Sequence, residues 1–173
     1  MTTSTITTAR LVLAPLSIDE TDLVHAYRAH PEVTRYQGFD PRDRAHVAEW
    51  VAAGAANPLA TPGVWTQLGI RTRDEARLIG DLGVHALGDD PTQVEIGFTL
   101  APDAQGQGFA TEAVSALLDH LFDTLGKERV RAHVDPRNAP SIRLLERLEA
   151  RLVEKGELWT FAWTVEEWHA RRR

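Results

Sequence analysis

Val94, Ile96, Phe98 and Leu100 alternate with Glu95, Gly97 and Thr99, the two-residue period of a strand with one buried face. From Ala110 the period lengthens: Ala113, Val114, Leu117, Leu118, Leu121, Phe122 and Leu125 recur at helical spacing, and Gly126 stands after them as a left-handed stop. A strand therefore feeds a glycine-rich turn that opens a long helix. Before it, residues 10–16 read as a first strand ended by Pro15. Ser17 and Glu20 have capping-box spacing, which predicts a helix over 18–29 with Leu23, Val24 and Tyr27 on one face and Pro31 closing it. A second helix is expected after Asp40, with Pro41 at its first position and Val47, Trp50 and Val51 inward before Gly54. Residues 30–39 between the two read as irregular, and 57–63, with two prolines, as a loop.

Residues 64–71 and 77–85 predict a hairpin around the charged turn 72–76, and 88–91 turns into the central strand, so three antiparallel neighbours result. A further strand over 129–134 returns after the long helix and should lie parallel to the central one. A turn at 135–138 leads to a helix over 139–148 with Ile142, Leu145 and Leu148 inward. Strands at 151–154 and 159–164 close the chain as a hairpin, and the basic tail 171–173 is expected to fray. The order is β-α-α-β-β-β-α-β-α-β-β. It describes an α/β (α+β) fold with a mixed, mostly antiparallel sheet of six to seven strands flanked by about four helices, expected as one domain over 1–173.

Composition narrows the partners. The chain has 173 residues, 43% of them hydrophobic and 25% charged, which is ordinary for a globular domain. A formal net charge of -6 argues against nucleic acid and suits a cationic amine. Cysteine is absent, which removes disulfides, thiolate metal sites and a cysteine nucleophile. The threonine-rich stretch 1–10 lacks the basic-then-apolar pattern of a signal peptide, and no apolar run reaches membrane-spanning length, so a cytoplasmic protein without a membrane partner is expected. None of the seven histidines joins another at helical ligand spacing, and no metal is expected. His85 and His133 lie in strands, where each either faces a cleft or simply packs. Trp50, Trp65, Trp159 and Trp163 read as core or interface aromatics.

The turn at 105–110 carries the chemistry. Gly106 and Gly108 let backbone N–H groups face outward without Cβ atoms in the way, and the helix N-terminus adds partial positive charge. That is a seat for an anion, or else a plain tight turn with capping glycines. It lacks the lysine and hydroxyl residue of a Walker loop and the spacing of the dinucleotide fingerprint, so a pyrophosphate on some other carrier is the surviving ligand class.

Gln105-x-x-Gly108-x-Ala110 resembles the Gln/Arg-x-x-Gly-x-Gly/Ala signature of the GNAT superfamily of N-acetyltransferases, and residues 95–113 resemble its RimJ/RimL-type, ribosomal-protein N-terminal acetyltransferase branch. The element order agrees over nearly the whole chain. Lesser matches are Arg10-Leu11-Val12-Leu13, Asp135-Pro136-x-Asn138-x-x-Ser141 and Glu167-Trp168.

The resemblance implies that Gln105, Gly106, Gln107, Gly108, Phe109, Ala110 and Thr111 hold the pyrophosphate of an acyl-coenzyme A. It also implies that Phe98, Thr99 and Leu100 pair with the pantetheine arm and that Asn138 bonds that arm or caps its helix.

Acyl transfer to an amine needs a group to take the amine's proton, a donor for the oxyanion and a hydrogen bond or proton for the departing thiolate. Glu95, on the polar face of the strand expected to line the carrier, is the candidate base, directly or through a water. The alternative is a solvated or ion-paired strand residue. Ser141, in a turn the resemblance sets beside the thioester, is the candidate near the sulfur, against the alternative of local capping. The superfamily's tyrosine acid, four residues on, is replaced here by Leu145. Glu149-Ala150 stands where Gly-Phe is usual, which predicts about 1 kcal/mol of strain if that position is left-handed.

The resulting expectation is an acyl-coenzyme A-dependent N-acyltransferase, acting as monomer or homodimer. It would move acetyl from acetyl-coenzyme A to a primary amine by direct attack in a ternary complex. A protein or peptide α-amine is favoured as acceptor. A small-molecule amine (polyamine, amino acid, aminoglycoside) and a non-catalytic acyl-coenzyme A-binding module are the alternatives.

Overall fold

Apolar positions from residue 65 to residue 100 build three long antiparallel strands at the centre of the sheet. A computed structural model describes residues 5–173; residues 1–4, the start of the threonine-rich stretch, lie outside the described residues. The strands are β1 (Ile6–Thr7), β2 (Leu11–Pro15), β3 (Trp65–Thr72), β4 (Leu78–Ala86), β5 (Gln93–Leu100), β6 (Arg129–Val134), β7 (Arg151–Lys155) and β8 (Trp159–Thr164). They form one sheet in the order β1-β2-β3-β4-β5-β6-β8-β7. Every pairing is antiparallel except β5 with β6, the parallel pair that the crossover predicts.

The sheet has eight strands where six to seven are expected. The extra one is β1, whose Ile6 lies opposite Leu13 of β2. Two residues are too few to show a period.

The helices are α1 (Thr21–Arg28), α2 (Pro31–Thr34), α3 (Arg44–Ala55), α4 (Phe109–Asp119), α5 (Ala139–Arg147) and α6 (Val165–Ala170). Four were expected. α2 is a single turn inside the stretch read as irregular, started rather than blocked by Pro31 and capped by the His30 ring. α6 follows β8 without a loop, through a capping box in which Thr164 and Glu167 satisfy each other's amides.

The Ser17–Glu20 capping box forms as predicted, although it opens a short 3₁₀ turn that runs into α1. Leu23, expected inward, is 54% exposed, while Val24 and Tyr27 are buried. α3 begins at Arg44 and not at Pro41, because Asp43 takes the N-cap by accepting from the His46 amide. Past α4 the helix widens into a π turn at His120–Thr124 and stops at Gly126, which is left-handed as expected, with φ +62°.

Two cores result. α4 and α5 cover one face of the sheet through Val114, Leu117, Leu118, Leu144 and Leu145, all buried against Val94, Ile96 and Phe161. On the other face α1 and α3 bury Val24, Tyr27, Val47 and Val51 with Leu16 and Leu78. α3 lies close enough to β3 that a Cβ on Gly54 would collide with the Gln67 side chain. Beneath α1, buried Asp81 accepts hydrogen bonds from the Tyr27 hydroxyl and from Arg28, whose Nε lies 3.1 Å away. The Arg28 guanidinium also stacks on Trp50 and Phe39, at 4.5 and 5.0 Å from their ring centroids.

Candidate acyl-carrier groove and the row beside it

β5 and β6 stay paired only over Gln93–Arg129, Val94–Val130 and Glu95–Arg131. Beyond Glu95 the two strands separate, and the opening leads into a groove of about 470 Å³. Phe98, Thr99 and Leu100 line one wall, and Asn138, Pro140 and Ser141 at the start of α5 line the other. Gln105, Gly106, Gly108, Phe109, Ala110 and Thr111 close one end.

Gln107 does not line the groove; its carbonyl accepts from Arg10, which also bonds Glu112 and lies over the Phe109 ring. Arg10 thereby pins the turn from outside. The same contacts to Arg10 and to Thr8 hold the Glu112 carboxyl below its ordinary range against the upward push of its partial burial.

Gly106 and Gly108 adopt φ of +76° and +80°, both left-handed. No side chain caps α4, so the amides of its first turn have no helical partner. Among the described residues, the amides of Gly106, Gln107 and Gly108 donate to no backbone carbonyl. A row of unpaired N–H groups at the positive end of a helix with a buried face thus meets the groove. The residues present fit a diphosphate carrier.

Asn138 caps α5, its side-chain oxygen accepting from the Ser141 amide at 3.3 Å. Ser141 is therefore not the cap, and its side chain is left beside the groove. Leu145 has no exposed surface and belongs to the core. Glu149 is left-handed at φ +58°, the strain foreseen for a non-glycine residue there.

Several groove residues carry no motif and escape a reading of the sequence. α2 and the residues after it contribute Glu32, Arg35, Tyr36 and Gln37, and α5 contributes Arg143 and Arg147. The spacing of the last two, i and i+4 on a helix, is the one signal that they share a face. The Tyr36 ring lies between Arg35 and Arg137, 5.9 and 5.8 Å from their guanidinium carbons. Arg137 in turn makes a two-pronged contact with Asp135, which lowers that carboxyl to about 2.

Glu95 does not line the groove. It shares the Thr99 face of β5, and Gly97 lies between them with nothing within 4 Å of where its Cβ would be. The Glu95 carboxylate lies 3.7 Å from His133 Nε2 and 3.9 Å from Arg131, and His133 Nδ1 is 2.9 Å from the Thr160 hydroxyl. His85 lies directly across from Glu95 on β4, stacked at 5.1 Å on Trp65. Of the tryptophans, Trp163 is buried in the core as expected, but Trp65 is 44% exposed. Among the described residues no group of three His, Cys, Asp or Glu gathers as metal ligands, and no helix is long and apolar enough to cross a membrane.

The splayed sheet and the open-ended glycine turn suit a diphosphate-bearing donor, and comparison with known proteins names the class as acetyltransferase. The profile of the Acetyltransferase (GNAT) domain family matches residues 10–151. The chain belongs to that family, and it is an acyltransferase enzyme whose fold uses an acyl-coenzyme A and an amine acceptor. It is 32% identical over 145 residues to an uncharacterized N-acetyltransferase of Bacillus licheniformis, p20, covering 83% of this chain and 80% of that one. It is 33% identical over 139 residues to the uncharacterized N-acetyltransferase YoaA of Bacillus subtilis, covering 80% and 77%. Among solved structures, a GNAT-family acetyltransferase from Bacillus anthracis superposes with a TM-score of 0.82 at 22% identity, covering 95% of this chain and 100% of the other. A provisionally named ribosomal-protein-serine acetyltransferase from Vibrio cholerae superposes with a TM-score of 0.74 at 20% identity, covering 95% and 99%. At those identities the two structures establish the fold alone.

Proposed function

We propose that this protein, acting as one domain over its whole length, transfers acetyl from acetyl-coenzyme A to the α-amine of a protein or peptide. The observation that carries the proposal is the set of unpaired amides at Gly106 and 108–111, at the end of the groove that Phe98–Leu100 and Asn138–Ser141 also line.

In this reading the turn amides and the Arg143 and Arg147 guanidinium groups hold the phosphates, by charge-assisted hydrogen bonds in the sense of helix-end anion sites. Thr99, Leu100 and Asn138 orient the pantetheine arm. Acetyl-coenzyme A supplies a thioester: the acceptor nitrogen forms the amide bond as the carbon–sulfur bond breaks, leaving the N-acetylated amine and coenzyme A thiol. Glu95 takes the acceptor's proton, directly or through a water in the open space over Gly97. An α-amine, with a pKa near ~8, gives that proton up more readily than a lysine side chain near ~10. Ser141 donates a hydrogen bond to the departing sulfur, taking over the role of the superfamily's tyrosine, whose position is held here by Leu145.

The test is incubation with isotopically labelled acetyl-coenzyme A and a peptide library, read by mass spectrometry. Acetylation of peptide α-amines, abolished by saturating coenzyme A, is expected. Saturable binding of acetyl-coenzyme A without acetylated product on any amine would refute transfer and leave a binding module.

A further inference from the structure

Across four strands, Trp65, His85, Glu95 and Arg131 stand in one register row on the face of the sheet that carries Thr99. The row lies four residues before Thr99, where the groove begins, across the open position at Gly97. Trp65 reaches over Gly83, where a Cβ would come within 3.1 Å of the indole, so the absence of a side chain there makes room for the ring. One face of that indole is taken by His85, and 44% of the residue is open to solvent. At the other end of the row the Arg131 guanidinium makes a long ion pair and no hydrogen bond. Its nearest carboxylate is Glu95 at 3.9 Å, beyond hydrogen-bond distance, and its Nε has no acceptor. Large exposed aromatics and buried donors without partners are both uncommon in finished structures, and here they flank one carboxylate.

We infer that this row is the acceptor's binding floor. Its acceptor is a primary amine with a carbonyl oxygen on the adjacent carbon and an aromatic side chain, the chemistry of an aromatic amino acid or of a peptide that begins with one. This rests on the transfer reading above and extends it to the acceptor's identity. Glu95 meets the amine, Arg131 and His133 donate to the carbonyl oxygen, and the Trp65–His85 pair receives the ring by stacking. A second ammonium group would meet Arg131 instead of an acid, so a polyamine is disfavoured.

Three acceptors sharing one amine geometry separate the parts: phenylalaninamide, phenethylamine, which lacks the carbonyl, and alaninamide, which lacks the ring. With acetyl-coenzyme A as donor, kcat/KM for phenylalaninamide is expected to exceed each of the other two, and spermidine, by tenfold or more. Arg131→Gln should reduce the preference over phenethylamine to the part set by the two amines' different basicity while sparing the preference over alaninamide, and Trp65→Ala should spare the preference over phenethylamine while removing that over alaninamide. Trp65→Phe, which keeps a ring, should restore it. Calorimetric titration of phenylalaninamide into the coenzyme A-saturated protein should show a tenfold weaker Kd for Trp65→Ala, independent of turnover. Free phenylalanine and a phenylalanine-initial tetrapeptide in the same assay tell an amino-acid acceptor from a peptide one. Equal use of phenethylamine or spermidine, or a Trp65→Ala effect uniform over all acceptors, overturns the acceptor assignment while leaving transfer intact. Acetylation of no amine at all overturns transfer itself.

Discussion

Replacing Gly108 by alanine isolates the contribution of the glycine turn. The residue sits at φ +80° as the N-cap of α4, and an added Cβ would approach only the free end of the Arg10 side chain, at 3.4 Å. Space therefore permits alanine, and the torsion opposes it by about 1 kcal/mol. In the free protein Arg10 holds the turn through the Gln107 carbonyl, but the amides of residues 106–108 donate to no backbone carbonyl, which leaves their own torsions free to yield to that strain. The turn relaxes and carries its N–H groups out of line with the groove. On binding, two outcomes compete. Leaving two amides unbonded forfeits about 1.5–3 kcal/mol each, the worth of a hydrogen bond to a charged group. Restoring the left-handed turn costs about 1 kcal/mol, so restoration wins, and coenzyme A affinity falls about fivefold. Gly106→Ala, at φ +76° with nothing within 4 Å of the new Cβ, is governed by the same torsion. The double variant should lose about thirtyfold, from roughly 2 kcal/mol of combined strain. Isothermal titration with coenzyme A measures this, and pantetheine, which has no diphosphate, is the control that should not change. A double variant within twofold of the parent, or equal weakening of pantetheine and coenzyme A, would refute the assignment of these amides to the diphosphate.

Three further outcomes follow from other parts of the molecule. Glu95→Gln should lower kcat at neutral pH by about a hundredfold or more without altering acetyl-coenzyme A affinity, the usual scale for a lost general base, and steady-state kinetics beside titration separates the two effects. Asp81→Ala leaves the buried Arg28 guanidinium, which the carboxylate holds above its ordinary pKa against desolvation, without its counter-ion. Urea denaturation should register a loss of about 3–5 kcal/mol, and a loss under 1 kcal/mol would show the pair to be dispensable. Asp135 titrates at about 2 in the folded chain, below the ordinary carboxylate range, because Arg137 bonds its charged form. Its contribution is thus present above pH ~4 and lost as pH falls through about 2. Carboxyl NMR should place the midpoint there and move it upward in Arg137→Gln.

Legibility in the sequence followed the strength of local periodicity. β6 and β8 have the expected bounds, and α4, which begins one residue early, has the expected buried positions, because β6 and α4 bury a regular apolar stripe and β8 is a short run rich in aromatic and β-branched residues. The start of α3 was misplaced because Pro41 and Asp43 are both good first residues, and only the bond from the His46 amide to Asp43 decides between them. β1 and α2 are too short to carry a period. At the candidate site, the turn and the strand before it announce themselves by glycine spacing and alternation. The residues facing them from the stretch after α2, Arg35 and Tyr36, and from α5, Arg143 and Arg147, do not. They are distant in the chain, and the Arg28 guanidinium, bonded to Asp81 and lying over the Phe39 ring, ties the end of that segment to the sheet.

The net charge of -6 illustrates the same limit from another side. Summed over the chain, it disfavours an anionic partner. The fold partitions the sum: Arg35, Arg137, Arg143 and Arg147 line one groove, while Glu95 stands past the groove's inner end, across the position of Gly97. A field is set by where charges lie and not by their total, so one acidic protein can present a basic wall to a phosphate-bearing donor and a carboxylate to an amine. The separation of β5 from β6 after Glu95 is what keeps the two apart. A substitution that extended that pairing by two residues would narrow the groove between Phe98–Leu100 and Asn138–Ser141 without changing any charge. Net charge would predict no effect from it, and the geometry predicts loss of donor binding.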